Sequence, residues 1–133
     1  MKNLSTIIFD YGEVIEISTT KERILDKLAA VTGLPIADVL GLYFKRNHLN
    51  NIGNNTQKST LLSVIQTLLP DNQEAYEKAN YTIDEHENSK MLNHELLELI
   101  RSLKANNYTI ALLSNYSSIL RDKIRLNGVQ DIF

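Results

Sequence analysis

Two short, β-branched apolar runs stand far apart in the chain, and the residues between them constrain the fold more than any other feature. Ser5-Thr6-Ile7-Ile8-Phe9 stops at Asp10-Tyr11-Gly12, and Tyr108-Thr109-Ile110-Ala111-Leu112-Leu113 stops at Ser114-Asn115. Each run is short and apolar on both faces, which suits a buried strand of a parallel sheet better than an amphipathic helix. The intervening residues carry helical periodicity. Strand, long helical excursion, helix, strand, helix is the order of a parallel α/β unit with a helical insertion after its first strand.

Within the excursion, Thr19 or Thr20 can cap a helix that sets Ile24, Leu25, Leu28 and Val31 on one face and stops at Gly33 and Pro35. A second helix begins near Pro35, with Val39, Leu42 and Tyr43 at helical spacing. The asparagine-rich stretch Asn47 to Asn55, with Gly53, reads as a loop. Leu61, Leu62, Ile65, Leu68 and Leu69 mark a third helix that Pro70 ends, and Asp71 with Glu74 has the form of a capping box for a fourth, through Tyr76 and Ala79. The polar stretch Asp84 to Lys90 reads as a linker. Asn93 can cap the most regular helix, whose stripe of Leu96, Leu97, Ile100 and Leu103 ends near Asn106-Asn107 and feeds the second strand.

A length of 133 residues with 43% hydrophobic content supports one compact domain, or part of one. A net charge of −2 offers no basic field for nucleic acid or an acidic membrane. Without cysteine, disulfides, thiolate zinc sites, iron–sulfur ligation and cysteine nucleophiles are excluded. The first apolar run is too short, and too soon interrupted by Asp10, for a signal peptide or a membrane span, so the chain reads as cytoplasmic. His48, His86 and His94 show no metal-site spacing and read as surface residues. Glu95, Glu98, Arg101 and Lys104 read as a solvated helix face that permits a Glu98–Arg101 pair.

In open parallel sheets, ligands bind beyond the carboxyl ends of the strands, where helix N-termini turn their amides toward the site. Asp10 then stands as a carboxylate at one strand end and Ser114 as a hydroxyl at the next, with amides of the following helix close by. Oxygen ligands suit magnesium, and hydroxyl and amide donors suit phosphate. Plainer roles stay open: Asp10 as a carboxylate capping a nearby loop, and Ser114-Asn115 as turn or N-cap residues.

Ile7-Ile8-Phe9-Asp10-Tyr11-Gly12-Glu13-Val14-Ile15 resembles the first motif of the haloacid dehalogenase-like superfamily, in the variant with glycine in place of the second aspartate. Ile110-Ala111-Leu112-Leu113-Ser114-Asn115 resembles its second motif. The resemblance implies an α/β fold with a partial, Rossmann-like parallel core (residues 1–15 and 91–133) and a helical cap inserted after the first strand (residues 16–90). It implies a phosphatase acting on a small phosphorylated metabolite, with Asp10 as the nucleophile that forms a covalent intermediate. Magnesium would be held by Asp10, by the carbonyl of Gly12 and by an acidic residue of a later motif, while Ser114 and the Asn115 amide would bind phosphoryl oxygens. Neither nucleic acid nor membrane is an expected partner.

Gly12 departs from the common phosphatase pattern, because the aspartate it replaces protonates the leaving group and activates water. Glu13 beside it is expected to point away. The family's third-motif lysine and fourth-motif acidic pair have no counterpart here, and Gly128 to Phe133 resembles the entry to a third core strand. The expectation is the N-terminal part of a longer enzyme, inactive alone, whose open sheet edges favour homo-oligomers or a complementary C-terminal fragment. A non-catalytic binding or regulatory module and a haloacid dehalogenase are the rival readings. Lys45-Arg46 reads as a helix terminus favoured by the dipole, with substrate phosphate as the alternative. Tyr43, Phe44 and Tyr76 read as core or as the lining of a substrate entrance, and Arg121, Lys123 and Arg125 read as helix surface.

Overall fold

The computed structural model describes residues 5–52 and 55–133. Strand β1 (Thr6–Phe9) runs into a tight loop in which the Tyr11 carbonyl accepts the amides of Val14, Ile15 and Glu16 at 3.3, 2.9 and 3.1 Å. Strand β2 (Glu16–Ile17) follows, and then five helices: α1 (Ile24–Thr32), α2 (Ile36–Arg46), the single turn α3 (His48–Asn51), α4 (Gln57–Leu68) and α5 (Gln73–Asn88). Strand β3 (Met91–Leu92) pairs antiparallel with β2. Helix α6 (His94–Ala105) leads into β4 (Thr109–Leu112), which pairs parallel with β1 in the register Thr6–Thr109 to Phe9–Leu112. Helix α7 (Leu120–Leu126) and a 3₁₀ turn (Gln130–Ile132) end the described chain. The fold is therefore α/β, mostly helical, around a small two-stranded parallel sheet.

Apolar burial occurs in two separate clusters. In the first, Leu25 and Leu28 of α1, Val39 and Tyr43 of α2, Leu61 and Ile65 of α4, and Ile83 of α5 close a ring of four helices. In the second, Leu97 and Ile100 of α6 meet Ile110 of β4, with Tyr11, Ile15, Val129 and Ile132. Two residues of β2 paired with two of β3 stitch the chain where it leaves the second cluster and where it returns to it. Asn93 strengthens the stitch. Its amide bonds the Ile15 carbonyl at 2.8 Å, its Nδ2 bonds the Val14 carbonyl at 3.3 Å, and its Oδ1 caps α6 by accepting from the Leu96 amide at 3.2 Å.

Several sequence expectations are corrected. The first strand is not buried on both faces: Ile7 and Phe9 pack into the second cluster, while Ile8 on the opposite face is 59% exposed, because α6 covers only one side of the sheet. Helix α1 starts at Ile24, and Thr20 bonds the Glu22 amide instead of capping it; Val31 is exposed, and Ala29 takes the buried position. The asparagine-rich stretch holds a helical turn, α3, and Gly53 lies outside the described residues. Asp71 adopts φ +60°, so the cap of α5 moves one residue on, to Asn72, whose Oδ1 accepts from the Ala75 amide at 3.0 Å. Asp84 to Asn88 form the last turns of α5, because Ile83 and His86 continue the buried stripe of Ala75 and Ala79. His86 is accordingly a buried residue, while His48 and His94 are exposed.

Candidate functional site

Phe9 faces Leu112 in the parallel register, and the Leu113 amide extends the ladder by bonding the Phe9 carbonyl at 2.9 Å. Asp10 and Ser114 therefore leave the sheet at the carboxyl ends of two adjacent strands. Asp10 is exposed, and one oxygen of its carboxylate accepts the Tyr11 amide at 2.6 Å. The Ser114 hydroxyl accepts the Tyr116 amide at 3.3 Å, which folds the chain back over the strand end. Helix α7 begins only at Leu120, so residues 115–117 and a turn at 118–119 separate it from the strand end.

The loop after Asp10 is held from three sides. Tyr11 is fully buried, its hydroxyl accepts from Asn127 Nδ2 at 2.8 Å, and its ring meets Tyr116 edge-on at 5.6 Å. Glu13 sits at φ +56°, and its carboxylate accepts both the Ser18 hydroxyl, at 2.6 Å, and the Ser18 amide, at 3.2 Å. It is thus engaged with the start of the helical insertion. A Cβ on Gly12 would lie 3.7 Å from the Tyr116 ring, an ordinary contact, so packing does not by itself demand glycine there.

Lys123 is half-buried rather than a free surface cation. Its ammonium donates to Glu16 Oε1 at 2.7 Å, to the Tyr116 hydroxyl at 2.9 Å and to Glu87 Oε2 at 3.1 Å, and Lys90 holds the other Glu87 oxygen at 2.7 Å. Burial alone would depress the Lys123 ammonium, but the bonds to Glu16 and Tyr116 and the charge of Glu87 raise it above the ordinary lysine value. Burial would raise the Glu87 carboxyl, yet Lys90 and Lys123 outweigh it and hold it low. The Tyr116 hydroxyl is pushed up by burial to about 12 despite Lys123. This network joins β2, α5, α7 and the loop after β4. Burial, helped by Lys90 and Lys27, lowers the nearby His86 imidazole below its ordinary value.

Asn115 opens onto a cavity of about 200 Å³ between the helical insertion and the loop after β4. Its polar lining is Asn47, Asn50, Asn51, Gln57, Asn115 and Ser117, with the rings of Tyr43 and Tyr116 beside them. Asn115 Nδ2 reaches Asn51 Oδ1 at 3.5 Å across this gap. Of the other aromatic candidates, Phe44 is exposed and Tyr76 borders a separate cleft. Arg46 neither reaches the strand ends nor stays free: its guanidinium clamps α2 to α4 through the Ser63 carbonyl at 2.9 Å and the Thr67 hydroxyl at 3.1 Å. The signal for the cavity was present in the concentration of asparagines at 47–51, residues that donate and accept with one side chain. Nothing local marked Ser117 or Lys123.

Asp10 and the Gly12 carbonyl are hard oxygen donors of the kind magnesium takes, and magnesium keeps several waters and binds through few protein ligands. Among the described residues, no three His, Cys, Asp or Glu side chains cluster so as to hold a metal ion. No described helix is long and apolar enough to cross a membrane. No protein-family model matches the chain, and no curated protein is similar to it at a significant level.

Proposed function

We propose that the two strand ends form the phosphoryl site of a haloacid dehalogenase-like hydrolase, a cytoplasmic phosphatase acting on a small phosphorylated metabolite beneath a helical cap. The observation that carries this reading is the in-register parallel pairing of β1 with β4, which sets Asp10 and Ser114-Asn115 side by side after a long helical insertion. The Asp10 oxygen not engaged by the Tyr11 amide attacks phosphorus, the P–O bond to the substrate alcohol breaks, and the departing alkoxide takes a proton from water. Water then attacks phosphorus, returning the Asp10 carboxylate and releasing phosphate. Ser114 and the Asn115 amide hold phosphoryl oxygens. Magnesium, held by Asp10 and the Gly12 carbonyl, neutralises phosphoryl charge when bound.

The test is an amide NMR titration of the chain with beryllofluoride, a mimic of phosphorylated aspartate, with and without magnesium chloride. Magnesium-dependent shifts at Asp10, Ser114 and Asn115, lost in Asp10→Asn, are expected, with little or no hydrolysis of p-nitrophenyl phosphate by these 133 residues alone. Absence of any such shift sinks the reading. One observation favours a second reading, a non-catalytic phosphate-binding module: Gly12 carries no acid, and Glu13 is engaged with Ser18. Binding without turnover, even after a complementary C-terminal fragment is supplied, would decide for it. Halide release from a small haloacid without magnesium would instead identify carbon–halogen cleavage.

A further inference from the structure

We propose that Asn127 is a self-modifying site: when the last turn of α7 opens, the Gly128 amide nitrogen attacks the Asn127 carboxamide, and the resulting aspartate and isoaspartate release the clamp on Tyr11 behind Asp10. The inference is independent of the phosphoryl reading, since it needs only the chemistry of residues 127 and 128. Asn127-Gly128 is the only Asn-Gly pair in the chain, and a glycine nitrogen has no Cβ to crowd its approach. In the first step the Gly128 nitrogen loses its proton as it bonds to Asn127 Cγ, the bond from Cγ to Nδ2 breaks, and Nδ2 leaves as ammonia. Water then opens the five-membered succinimide at one of its two carbonyls, giving aspartate or isoaspartate. Water is consumed and ammonia released, and no oxidant or other reactant is needed.

In the closed fold, every group that must move is held. The Gly128 amide donates to the Arg125 carbonyl at 3.1 Å, and the Asn127 amide to the Lys123 carbonyl at 2.9 Å. Asn127 keeps a helical backbone, φ −78° and ψ −4°, whereas the ring requires its Cγ to swing onto the following nitrogen. The leaving group is fixed as well, because Nδ2 donates to the Tyr11 hydroxyl at 2.8 Å. The opening that frees these groups is local. None of the seven residues of α7 is fully buried, which puts its end among the least stable parts of the fold. Val129 and Ile132, 2% and 1% exposed, anchor the chain just beyond. Gly128 between them sits at φ +67° with open space where a Cβ would stand, so the ring has room to form.

The product reaches the loop after Asp10 through Tyr11. Tyr11 is fully buried, and its carbonyl holds the amides of Val14, Ile15 and Glu16. A carboxylate at 127 can only accept, so the Tyr11 hydroxyl, kept protonated by burial, has to turn its proton toward it. The new charge also adds to that of Glu16, which already acts on this hydroxyl. Isoaspartate goes further. It routes the backbone through the side-chain carbon, so the bonds of the 127, 128 and 129 amides to the carbonyls of Lys123, Arg125 and Ile124 cannot all be kept.

The experiment incubates the full chain in mildly alkaline buffer, folded and in concentrated urea, and reads the tryptic peptide 126–133 by mass spectrometry. Conversion at Asn127 is expected in both, at least about tenfold slower when folded, which corresponds to about 1.4 kcal/mol of opening. Urea below the unfolding transition should leave the folded rate flat, because a local opening exposes little surface. Tyr11→Phe, which frees Nδ2, should speed conversion of the folded chain and leave the rate in concentrated urea unchanged. Because that variant alters a buried side chain, Asn127→Asp serves as the second: hydrogen exchange at the Val14, Ile15 and Glu16 amides should be faster than in the wild type. Equal rates in folded and unfolded chains, no conversion in the folded chain, or a folded rate that climbs steeply with low urea overturns the local gate. Unchanged exchange in Asn127→Asp overturns the release of Tyr11.

Discussion

Replacing Lys123 by methionine removes an ammonium while keeping most of the stem that packs beneath it. Two carboxylates lose a partner, but unequally. Glu87 retains Lys90 at 2.7 Å, whereas Glu16, whose side chain is 9% exposed, keeps only the Tyr116 hydroxyl at 3.4 Å. Breaking a buried ion pair from one side costs about 3–5 kcal/mol, and the partial exposure of Lys123 places this case near the lower end, at about 3 kcal/mol. Glu16→Gln alone should cost about 1 kcal/mol, because Lys123 still has Glu87 and the new amide can accept a hydrogen bond. The double variant should then lie near the Glu16→Gln single, a coupling of about 3 kcal/mol.

Urea unfolding at neutral pH measures this directly: at a slope of about 2 kcal/mol/M, Lys123→Met should lower the midpoint by about 1.5 M with the slope unchanged. The sign with pH follows from the two shifts. Lys123 is raised when folded, so its contribution is complete below the unfolded value of 10.5 and is lost as pH rises through the folded value. Glu87 is lowered when folded, so its contribution is complete above the unfolded value of 4.5 and is lost as pH falls through the folded value. The difference between wild type and Lys123→Met should therefore be flat across the neutral range and shrink at both ends. A loss under about 1 kcal/mol, or strictly additive single variants, refutes the claim that this network acts as one coupled, half-buried unit.

Removing the Ser117 hydroxyl, which has no hydrogen-bond partner among the described residues, in Ser117→Ala should leave the chain as stable or more stable by up to about 1 kcal/mol, read as a rise in melting temperature; a clear fall would mean the hydroxyl already has a partner. His86 is lowered when folded, so its share of stability is complete above the ordinary value of 6.5 and is lost as pH falls through its folded value. Urea midpoints taken downward from neutral pH should show this decline, and His86→Gln should flatten it; an unchanged slope would exclude His86 as its source. Gly33 ends α1 at φ +71°, so Gly33→Ala should destabilise by about 1 kcal/mol in the same assay, and a neutral result would contradict the left-handed cap.

The parts of the fold that were legible in the sequence are those whose reasons are local. Both strands of the parallel pair announce themselves by β-branched runs that stop at polar residues, and α6 by the Asn93 cap with its Leu96, Leu97, Ile100 and Leu103 stripe. Helix α5 was cut short because its buried face is written in weak letters: Ala75 and Ala79 are small, and His86 is polar, so only Ile83 carried a strong apolar signal. The turn α3 was hidden by asparagines that favour loops when exposed, whereas Asn50 is buried and bonded to Thr60. Arg121, Lys123 and Arg125 alternate in the manner of a solvated surface. What singles out Lys123 is Glu16, 107 residues earlier, and Glu87, 36 residues earlier, and no window along the chain can see such partners.

Those distant partners also position the site. Tyr116 receives the Lys123 ammonium on its hydroxyl, meets Tyr11 edge-on, and donates its amide to Ser114. Tyr11 follows Asp10 directly, and Asn115 and Ser117 flank Tyr116. One aromatic residue is thus fixed between the strand-end carboxylate on one side and the amide-lined cavity on the other. On the phosphoryl reading proposed above, Asp10 and Ser114 need their separation held constant, since a misplacement of about 1 Å is enough to cost a large factor in rate. The half-buried Glu16–Lys123–Glu87 network supplies that constancy by tying Tyr116 to both the first strand's outgoing chain and the end of α5. Stability and geometry at the strand ends are therefore one problem in this fold, solved by charges that the sequence pattern assigned to the solvent.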